Sequence, residues 1–213
     1  MAYVLGYFAA DGSMVQNNRG AHFIEFTTTD KGFLNVLQKR FNSNHKITKR
    51  LVKNSAWKQS YRLQIGSKEW FSDLQKLGFT QNKSNTLRFP RVPSEYLTDF
   101  VRGYFDGDGC VYFKKHFAKD RGKERWVFTT RFTSGSQKFL KKLLIVLRTS
   151  GLHGGFIVGK HTQSGCDLVF SHKDSLALYH FLYKNTKVTE LFLPRKYKLF
   201  TKAIETLYPE MRP

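Results

Sequence analysis

The chain has few acidic residues, and it contains no long apolar run. Asp and Glu number 16 against 36 Lys and Arg, which gives a formal net charge of +20. Such an excess of positive charge predicts a polyanionic partner. No stretch of about 18 apolar residues is present and no basic-then-apolar leader opens the chain. The sequence therefore predicts a soluble, intracellular protein that does not attach to a membrane.

Cysteine is also scarce, with 2 residues in a chain of 213. Cys110 and Cys166 have neither C-x-x-C spacing nor a nearby pair of histidines, so a zinc site is not expected. Their scarcity fits a reducing environment. The hydrophobic fraction of 40% is enough to build a core for one large or two small domains. Because basic residues alternate with 20 Phe and 10 Tyr along the chain, the charge belongs to a folded surface.

One short motif occurs twice, as VLGYFAADG over Val4–Gly12 and as VRGYFDGDG over Val101–Gly109. Two copies separated by one domain length indicate a duplicated and fused structural unit. Gly6 and Gly103 occupy matching positions, each followed by a second small residue one helical turn later. Because glycine inside a helix costs about 1 kcal/mol relative to alanine, the match predicts two backbones in close approach. The simplest partner of each motif helix is the other.

Packing of the two helices would place Asp11 and Asp108 together at adjacent carboxyl-terminal ends. A helix carries about half a negative charge at this end, which disfavours a carboxylate. At roughly 7 Å and an effective dielectric near 20, the two carboxylates would repel each other by about 2 kcal/mol. A divalent cation relieves this repulsion, and Mg²⁺ prefers carboxylate oxygen. The motif ends therefore predict a magnesium site.

These motifs resemble those of the LAGLIDADG homing endonuclease family, or meganucleases, in the single-chain form with two motifs. The resemblance extends over nearly the whole chain, because other elements recur in the same order around both motifs. It implies an α+β fold of two pseudo-symmetric αββαββα repeats with the motif helices packed at the repeat interface. Two antiparallel β-sheets would form a DNA-binding saddle. The N-terminal repeat is predicted over 1–83, a linker over 84–99 and the C-terminal repeat over 100–213.

Alternating polar and apolar residues after each motif predict paired strands with one wet face. Asp30 and Ser136 each precede a helical pattern and are expected to cap it, while Asp99 is expected to cap the second motif helix. The second hairpin is longer than the first because of a basic insertion from Lys114 to Arg125. This insertion is expected to be either a disordered tip or an arm that DNA orders.

The resemblance also implies which residues hold metal. The last Asp of each motif would bind two or three Mg²⁺ ions together with the residue before it, and the expected ligands are Asp11, Asp108, Ala10 and Gly107. The first motif departs from the family pattern at Ala9, where the second keeps an acidic residue, Asp106. Because the family chemistry relies on the last position, this departure weakens the resemblance only slightly.

Further roles in catalysis follow from the same resemblance. Lys68 and Lys173 lie at the junction of the fourth strand and the following helix, where the family places a lysine near each scissile phosphate. An ordinary phosphate contact or a solvated lysine is the alternative for this pair. Asp30 and Ser136 would position water, although helix capping explains these two residues equally well.

Antiparallel sheets with a basic face can lie in the major groove, where base edges carry a distinguishable code of donors and acceptors. Two such sheets, end to end, would cover roughly 20 base pairs, about 68 Å of duplex. Strand alternation selects the candidates for DNA contact. In the first half these are Gln16, Arg19, Lys49, Lys53, Lys58, Arg62 and Gln64, and in the second half they are Tyr112, Lys114, Arg125, Arg131 and Lys160.

The function that these features predict is site-specific cleavage of double-stranded DNA by a Mg²⁺-dependent, monomeric endonuclease without an obligatory protein partner. The resemblance implies cutting across the minor groove with four-base 3′ overhangs. A non-cleaving binder on the same fold, either an RNA maturase or a transcription regulator, is the alternative. Such a binder has no reason to keep both Asp11 and Asp108. The residues leave open the target sequence and whether an intron or an intein carried the reading frame.

Overall fold

The computed structural model describes residues 1–51, 54, 56–159, 165–184 and 191–211, and it shows the predicted αββαββα unit twice. The first repeat consists of α1 (Ala2–Asp11), β1 (Gly12–Gln16), β2 (His22–Thr28), α2 (Lys31–Arg40), β3 (Ile47–Lys49), β4 (Tyr61–Gly66) and α3 (Lys68–Lys76). The second repeat consists of α4 (Leu97–Asp108), β5 (Gly109–Ala118), β6 (Lys123–Ser134), α5 (Gln137–Thr149), β7 (Phe156–Gly159), β8 (Cys166–Ser171) and α6 (His172–Tyr183). One more helix, α7 (Pro194–Leu207), follows the second unit and was not predicted.

Each repeat builds one four-stranded antiparallel sheet, with the order β1-β2-β4-β3 in the first and β5-β6-β8-β7 in the second. The registers also correspond. Phe26 pairs with Gly12 on one side and Leu63 on the other, and Phe132 takes the same central place in the second sheet. Phe26, Leu63 and Phe132 are fully buried beneath the helices. One face of each sheet therefore contributes to the core, and the alternate residues occupy the other face.

The two motif helices, α1 and α4, pack against each other at the repeat interface, as predicted. Their backbones meet at matching glycines. A Cβ added to Gly6 would overlap the Phe100 carbonyl oxygen and lie 2.9 Å from the Tyr104 nitrogen, and a Cβ on Gly103 would overlap the Tyr3 carbonyl oxygen. Because the obstacles are backbone atoms, no side-chain rotation can relieve them. The crossing requires glycine at both positions.

We expect Gly103→Val to force the motif helices apart and to lower the free energy of unfolding by roughly 3 kcal/mol or more, the upper part of the range for overpacking. For a chain of this length, that loss corresponds to a fall in melting temperature of roughly 6–12 °C. Calorimetry measures the change. Gly159→Val is the matched control, because a Cβ there meets no atom of the described residues within 4 Å. Equal melting temperatures for the two variants would contradict the close crossing.

Two of the three predicted helix caps form. The Asp30 carboxylate accepts from the Phe33 amide at 3.1 Å, and the Ser136 hydroxyl accepts from the Phe139 amide at 3.3 Å. The predicted cap at Asp99 is wrong, because α4 begins two residues earlier at Leu97. Asp99 lies in the first helical turn instead, where its carboxylate accepts from the Arg102 guanidinium at 2.6 Å.

The basic insertion in the second hairpin continues the strands. The β5–β6 ladder runs without interruption from Gly109 and Phe132 to Ala118 and Lys123, whereas β6 pairs with β8 only from Thr129 to Ser134. The outer half of the hairpin therefore extends beyond the rest of the sheet. Lys114, Lys115, Lys123 and Arg125 lie on this ladder, whereas Lys119 and Arg121 lie in the exposed turn that joins the two strands.

Candidate active site and nucleic-acid interface

The carboxyl-terminal ends of the motif helices bring the predicted metal ligands into one place. α1 ends at Asp11 and α4 ends at Asp108, and in each case the following glycine has extended backbone geometry that turns the chain into a strand. A Cβ added to Gly107 would overlap Ala10 and lie 3.5 Å from Asp11 Oδ2. The Asp11 carboxylate of the first repeat thus lies beside the motif end of the second. Both Asp side chains are half-buried.

A buried lysine closes the end of α1. Lys83 lies in a short 3-10 turn after α3, and its ammonium donates to the carbonyl oxygens of Ala9 at 2.9 Å and Ala10 at 3.3 Å. The last carbonyls of a helix have no partner within the helix, and they carry its negative pole. A cation at this point therefore satisfies unpaired acceptors and offsets the charge that Asp11 adds.

A second buried lysine closes the end of α4 in the same way. Lys196, in the first turn of α7, donates to the carbonyl oxygens of Phe105 at 2.6 Å, Asp106 at 2.7 Å and Gly107 at 3.3 Å. Sequence reasoning missed Lys83 and Lys196. Each lysine lies a short segment after the last helix of its αββαββα unit. Aligning the two repeats beyond that helix could therefore have identified Lys83 and Lys196 as equivalent residues.

The two lysines and the two carboxylates share one electrostatic environment. Burial lowers the pKa of Lys83 to about 8, against the opposing effect of the Asp108 and Asp11 carboxylates. Burial also lowers the pKa of Lys196 to about 8, opposed first by Asp106 and then by the same two motif carboxylates. Each ammonium is therefore attracted to the carboxylates of both repeats. The ends of α1 and α4 form a single charge-compensated cluster.

A tyrosine on the first motif helix connects this cluster to the adjoining strand. Burial raises the pKa of Asp11, while a hydrogen bond from Tyr7 and the charge of Lys196 oppose that rise. The Tyr7 hydroxyl also contacts the Thr28 side chain, whose hydroxyl oxygen accepts from the Asp30 amide at 3.2 Å. The predicted water-positioning residue Asp30 is thus two residues away from a contact of Tyr7. Its role, like that of Ser136, stays a prediction.

The structure does not bring Lys68 and Lys173 to the motif ends. Gly12, next to Asp11, pairs with Phe26, whereas the β4–α3 junction that carries Lys68 lies beside His22 at the opposite end of β2. Four residues of strand separate these points by about 13 Å. Lys173 follows Ser171, which pairs with Thr129 at the far end of the β6–β8 ladder. Both lysine side chains are exposed at the starts of α3 and α6.

The open sheet faces carry some of the predicted DNA-contact residues, and others lie elsewhere. By their pairing, the residues on these faces are Arg62, Gln64, Tyr112, Lys114, Arg125 and Arg131. Gln16 and Lys49 are exposed at strand ends, but the alternation assigns both to the helix side. Arg19 and Lys58 lie in exposed loops. Lys53 and Lys160 lie outside the described residues.

Each open face also holds an ion pair, and the two pairs have opposite polarity. In the first sheet, Glu25 on β2 pairs with Arg62 on β4 at 3.4 Å. In the second, Arg131 on β6 pairs with Asp167 on β8 at 3.7 Å. The two pairs occupy equivalent positions. Glu25 and Arg131 each directly precede the central phenylalanine of their sheet, and Arg62 and Asp167 each directly precede the buried leucine that pairs with it. Sequence reasoning missed both carboxylates.

Comparison with known proteins now assigns the chain to a family. The profile of the LAGLIDADG-like domain matches residues 1–77 and 95–180, and thus both repeats. The chain belongs to the LAGLIDADG-like domain family. Among the described helices, none is long and apolar enough to cross a membrane.

The chain is similar to a curated protein and to solved structures of the same fold. An uncharacterised protein of Methanocaldococcus jannaschii is 26% identical over 148 residues, which make up 67% of this chain and 48% of the relative, so the chain spans about half its length. The LAGLIDADG homing endonuclease I-SmaMI, solved with cleaved DNA, gives a TM-score of 0.63 at 14% identity, covering 96% of this chain and 87% of its own. I-LtrWI bound to target DNA gives 0.60 at 14% identity, covering 97% and 90%.

Proposed function

We propose that the chain is a site-specific endonuclease that cuts both strands of a DNA duplex. The observation that carries this proposal is the duplicated cluster at the motif ends. Against the effect of burial, the Asp108 carboxylate raises the pKa of Lys83 more than Asp11 does, and Lys196 lowers the pKa of Asp11 more than Lys83 does. Asp108 with Lys83 and Asp11 with Lys196 therefore form two equivalent sets across the repeat interface, related by the pseudo-symmetry of the repeats. A duplex presents two scissile phosphates related by its own local dyad. One set of residues is therefore available for each strand.

The donor atoms at the motif ends fit a hard divalent cation. Asp11 and Asp108 offer carboxylate oxygens, and the Ala10 and Gly107 carbonyls have longer bonds to the lysines, 3.3 Å each, than the carbonyls just before them. No group of three His, Cys, Asp or Glu side chains gathers at any point in the described ranges. Such a sparse set suits Mg²⁺, which keeps several waters and takes further ligands from substrate phosphates. When bound, the metal supplies neutralisation of phosphate charge and activation of water.

The chain's own residues perform the remaining tasks. Lys83 and Lys196 are fixed by the helix-end carbonyls, so their positive charge is in place before the substrate binds. A preorganised cation in a buried site stabilises negative charge that develops on a phosphate oxygen without reorganisation at the moment of reaction. The open sheet faces bind the duplex on either side of this centre, in its major groove, over roughly 20 base pairs.

Incubating the protein with a randomised duplex library in Mg²⁺ and sequencing the broken ends tests the proposed function. We expect cuts at one family of related sequences, with four-base 3′ overhangs, and no cuts in EDTA. The expected site is longer than either sheet can cover alone. Binding without any breaks, or stronger binding to structured RNA than to a selected duplex, would replace the endonuclease with a regulator or a maturase.

The positive surface gives a second prediction, on the salt dependence of binding. The net charge of +20 is carried by a folded protein, so six to ten phosphate contacts are expected, and these give a log-log salt slope of roughly −5 to −9 for duplex DNA. Shortening the bound duplex from about 22 to about 11 base pairs should remove most of the affinity, because only one sheet then finds a half-site. Fluorescence anisotropy measures both effects. A salt slope near zero would contradict binding through the basic faces.

A further inference from the structure

The two motifs differ at one buried position, which is Ala9 in the first repeat and Asp106 in the second. The Asp106 side chain is 1% exposed, and its Oδ2 accepts two hydrogen bonds. One comes from the Tyr3 hydroxyl on α1 at 2.8 Å, and the other comes from the Leu193 backbone amide at 2.8 Å. The carboxylate thus connects α4 to α1 and to the segment that precedes α7.

Leu193 is the N-cap residue of α7, immediately before the first helical residue, Pro194. Its carbonyl oxygen accepts from the amides of Lys196 at 3.0 Å and Tyr197 at 3.2 Å, which start the first turn. The Lys196 ammonium in turn donates a hydrogen bond to the Asp106 backbone carbonyl oxygen at 2.7 Å. Asp106 therefore holds both ends of this turn, the amide of Leu193 through its side chain and the ammonium of Lys196 through its backbone.

A second side chain of α4 reinforces the same attachment from one turn earlier. The Arg102 guanidinium, 2% exposed, donates to the carbonyl oxygens of Leu191 at 3.1 Å and Leu182 at 3.0 Å. In the first repeat the positions equivalent to Arg102 and Asp106 are Leu5 and Ala9, which offer no such bonds. Lys83 lies instead in the 3-10 turn Lys83–Asn85, a few residues after α3.

The buried Asp106 carboxylate lowers the stability of the folded chain. Burial raises its pKa, with Tyr3, Lys196 and the Leu193 amide acting in the opposite direction, and its Oδ1 has no hydrogen-bond partner among the described residues. A buried carboxylate with an unpaired oxygen reduces stability relative to an apolar side chain of similar size. A residue that costs stability and fixes the geometry of a neighbouring group is typical of a functional site.

We propose that Asp106 is the positioning residue for Lys196, and through it for the cleavage of one strand only. The inference rests on the proposed function, because Lys196 is placed there beside one of the two scissile phosphates. No described side chain of the first repeat takes this place, so we expect cutting of the strand served by Lys83 to be independent of Asp106. The two cleavage steps therefore respond differently to one substitution in the second motif.

Strand-resolved cleavage of a supercoiled plasmid with one target site tests this proposal. We expect Asp106→Ala, which copies the first motif, to slow one strand about 10- to 100-fold, the usual effect of removing a supporting residue, and to accumulate nicked circles. The slowed strand should be the one that Lys196→Met slows. Asp106→Asn keeps an oxygen acceptor and should restore cutting of both strands. Equal slowing of both strands by Asp106→Ala would overturn the proposal.

Tyr3→Phe is the matched control, since it removes one hydrogen bond to the same oxygen but leaves the Leu193 amide bonded. This variant should cut the two DNA strands at the same ratio of rates as the wild-type protein. A strand bias equal to that of Asp106→Ala would overturn the proposal. Hydrogen exchange over residues 191–197 gives a readout that needs no cleavage. Asp106→Ala should lose protection there, while Tyr3→Phe and Asp106→Asn keep it. Unchanged protection in Asp106→Ala overturns the inference even if the protein cuts no DNA.

Discussion

The double variant Asp11→Asn, Asp108→Asn is expected to bind its target but to cut neither strand in Mg²⁺. The substitutions keep the shape of both helix ends and remove the two charges that attract a metal ion. Loss of a residue that only supports a metal ligand typically costs about 10- to 100-fold. Loss of both carboxylates should therefore slow cleavage by more than about 10³-fold. DNA affinity should be retained or increased, because two negative charges leave the surface that faces the phosphates.

Cleavage is measured with an end-labelled duplex, and binding is measured by anisotropy in calcium and in EDTA. Asp73→Asn serves as the control, because that exposed carboxylate on α3 pairs with Lys76 and lies outside the cluster at the motif ends. It should leave both measurements unchanged. Substantial cutting by the double variant in Mg²⁺ would refute the assignment of these two residues.

Lys83→Met and Lys196→Met are expected to slow opposite strands, each by about 10²- to 10³-fold, the usual effect of removing a group that stabilises charge in a transition state. Methionine has nearly the length of lysine and fills the same space, but it leaves the helix-end carbonyls without their donor, so the melting temperature of each variant is measured first to establish that it is folded. Each should produce a nicked intermediate, and the double variant should lose cleavage of both strands. Strand-resolved kinetics at saturating protein separate these effects from weaker binding.

Lys68→Met and Lys173→Met are the natural comparison, because the family resemblance implied that these two lysines act at the scissile phosphates. Both are exposed near the far ends of their sheets, so we expect them to weaken binding slightly and to slow both strands equally. A nicked product from Lys68→Met, with equal slowing of both strands by Lys83→Met, would show that Lys68 and Lys173 are the catalytic lysines and that Lys83 and Lys196 are not.

The duplicated fold could be predicted from the sequence because its determinants are local. Matching glycines, capping residues and strand alternation each act within a few residues, and the pair Gly6 and Gly103 identified the crossing of the motif helices. Alternation was less reliable at strand ends, where Gln16 and Lys49 are exposed although their pairing assigns them to the helix side. At these strand ends a residue on the helix side is exposed as well, so exposure does not identify the face that it occupies.

The lysines of the site could not be predicted in the same way, since their partners lie far along the chain. Lys196 bonds to carbonyl oxygens that belong to residues of α4, and no periodic pattern marks a side chain that reaches a helix end. Asp106 and its partner Leu193 are equally remote, at 87 positions apart in the sequence. Sequence similarity to a family pointed to the β4–α3 junction instead, where Lys68 is one residue after the cap of α3.

The reversed ion pairs on the two open faces have a consequence for the kind of DNA that suits this chain. In the first sheet the arginine of the pair lies on β4, and in the second it lies on β6, one strand spacing of about 4.8 Å to the side. Arginine favours guanine in the major groove, and a carboxylate accepts from cytosine. A palindrome built from either half would match one sheet and mismatch the other. Under the proposed function, we therefore expect the selected target to be an asymmetric sequence, bound in one orientation.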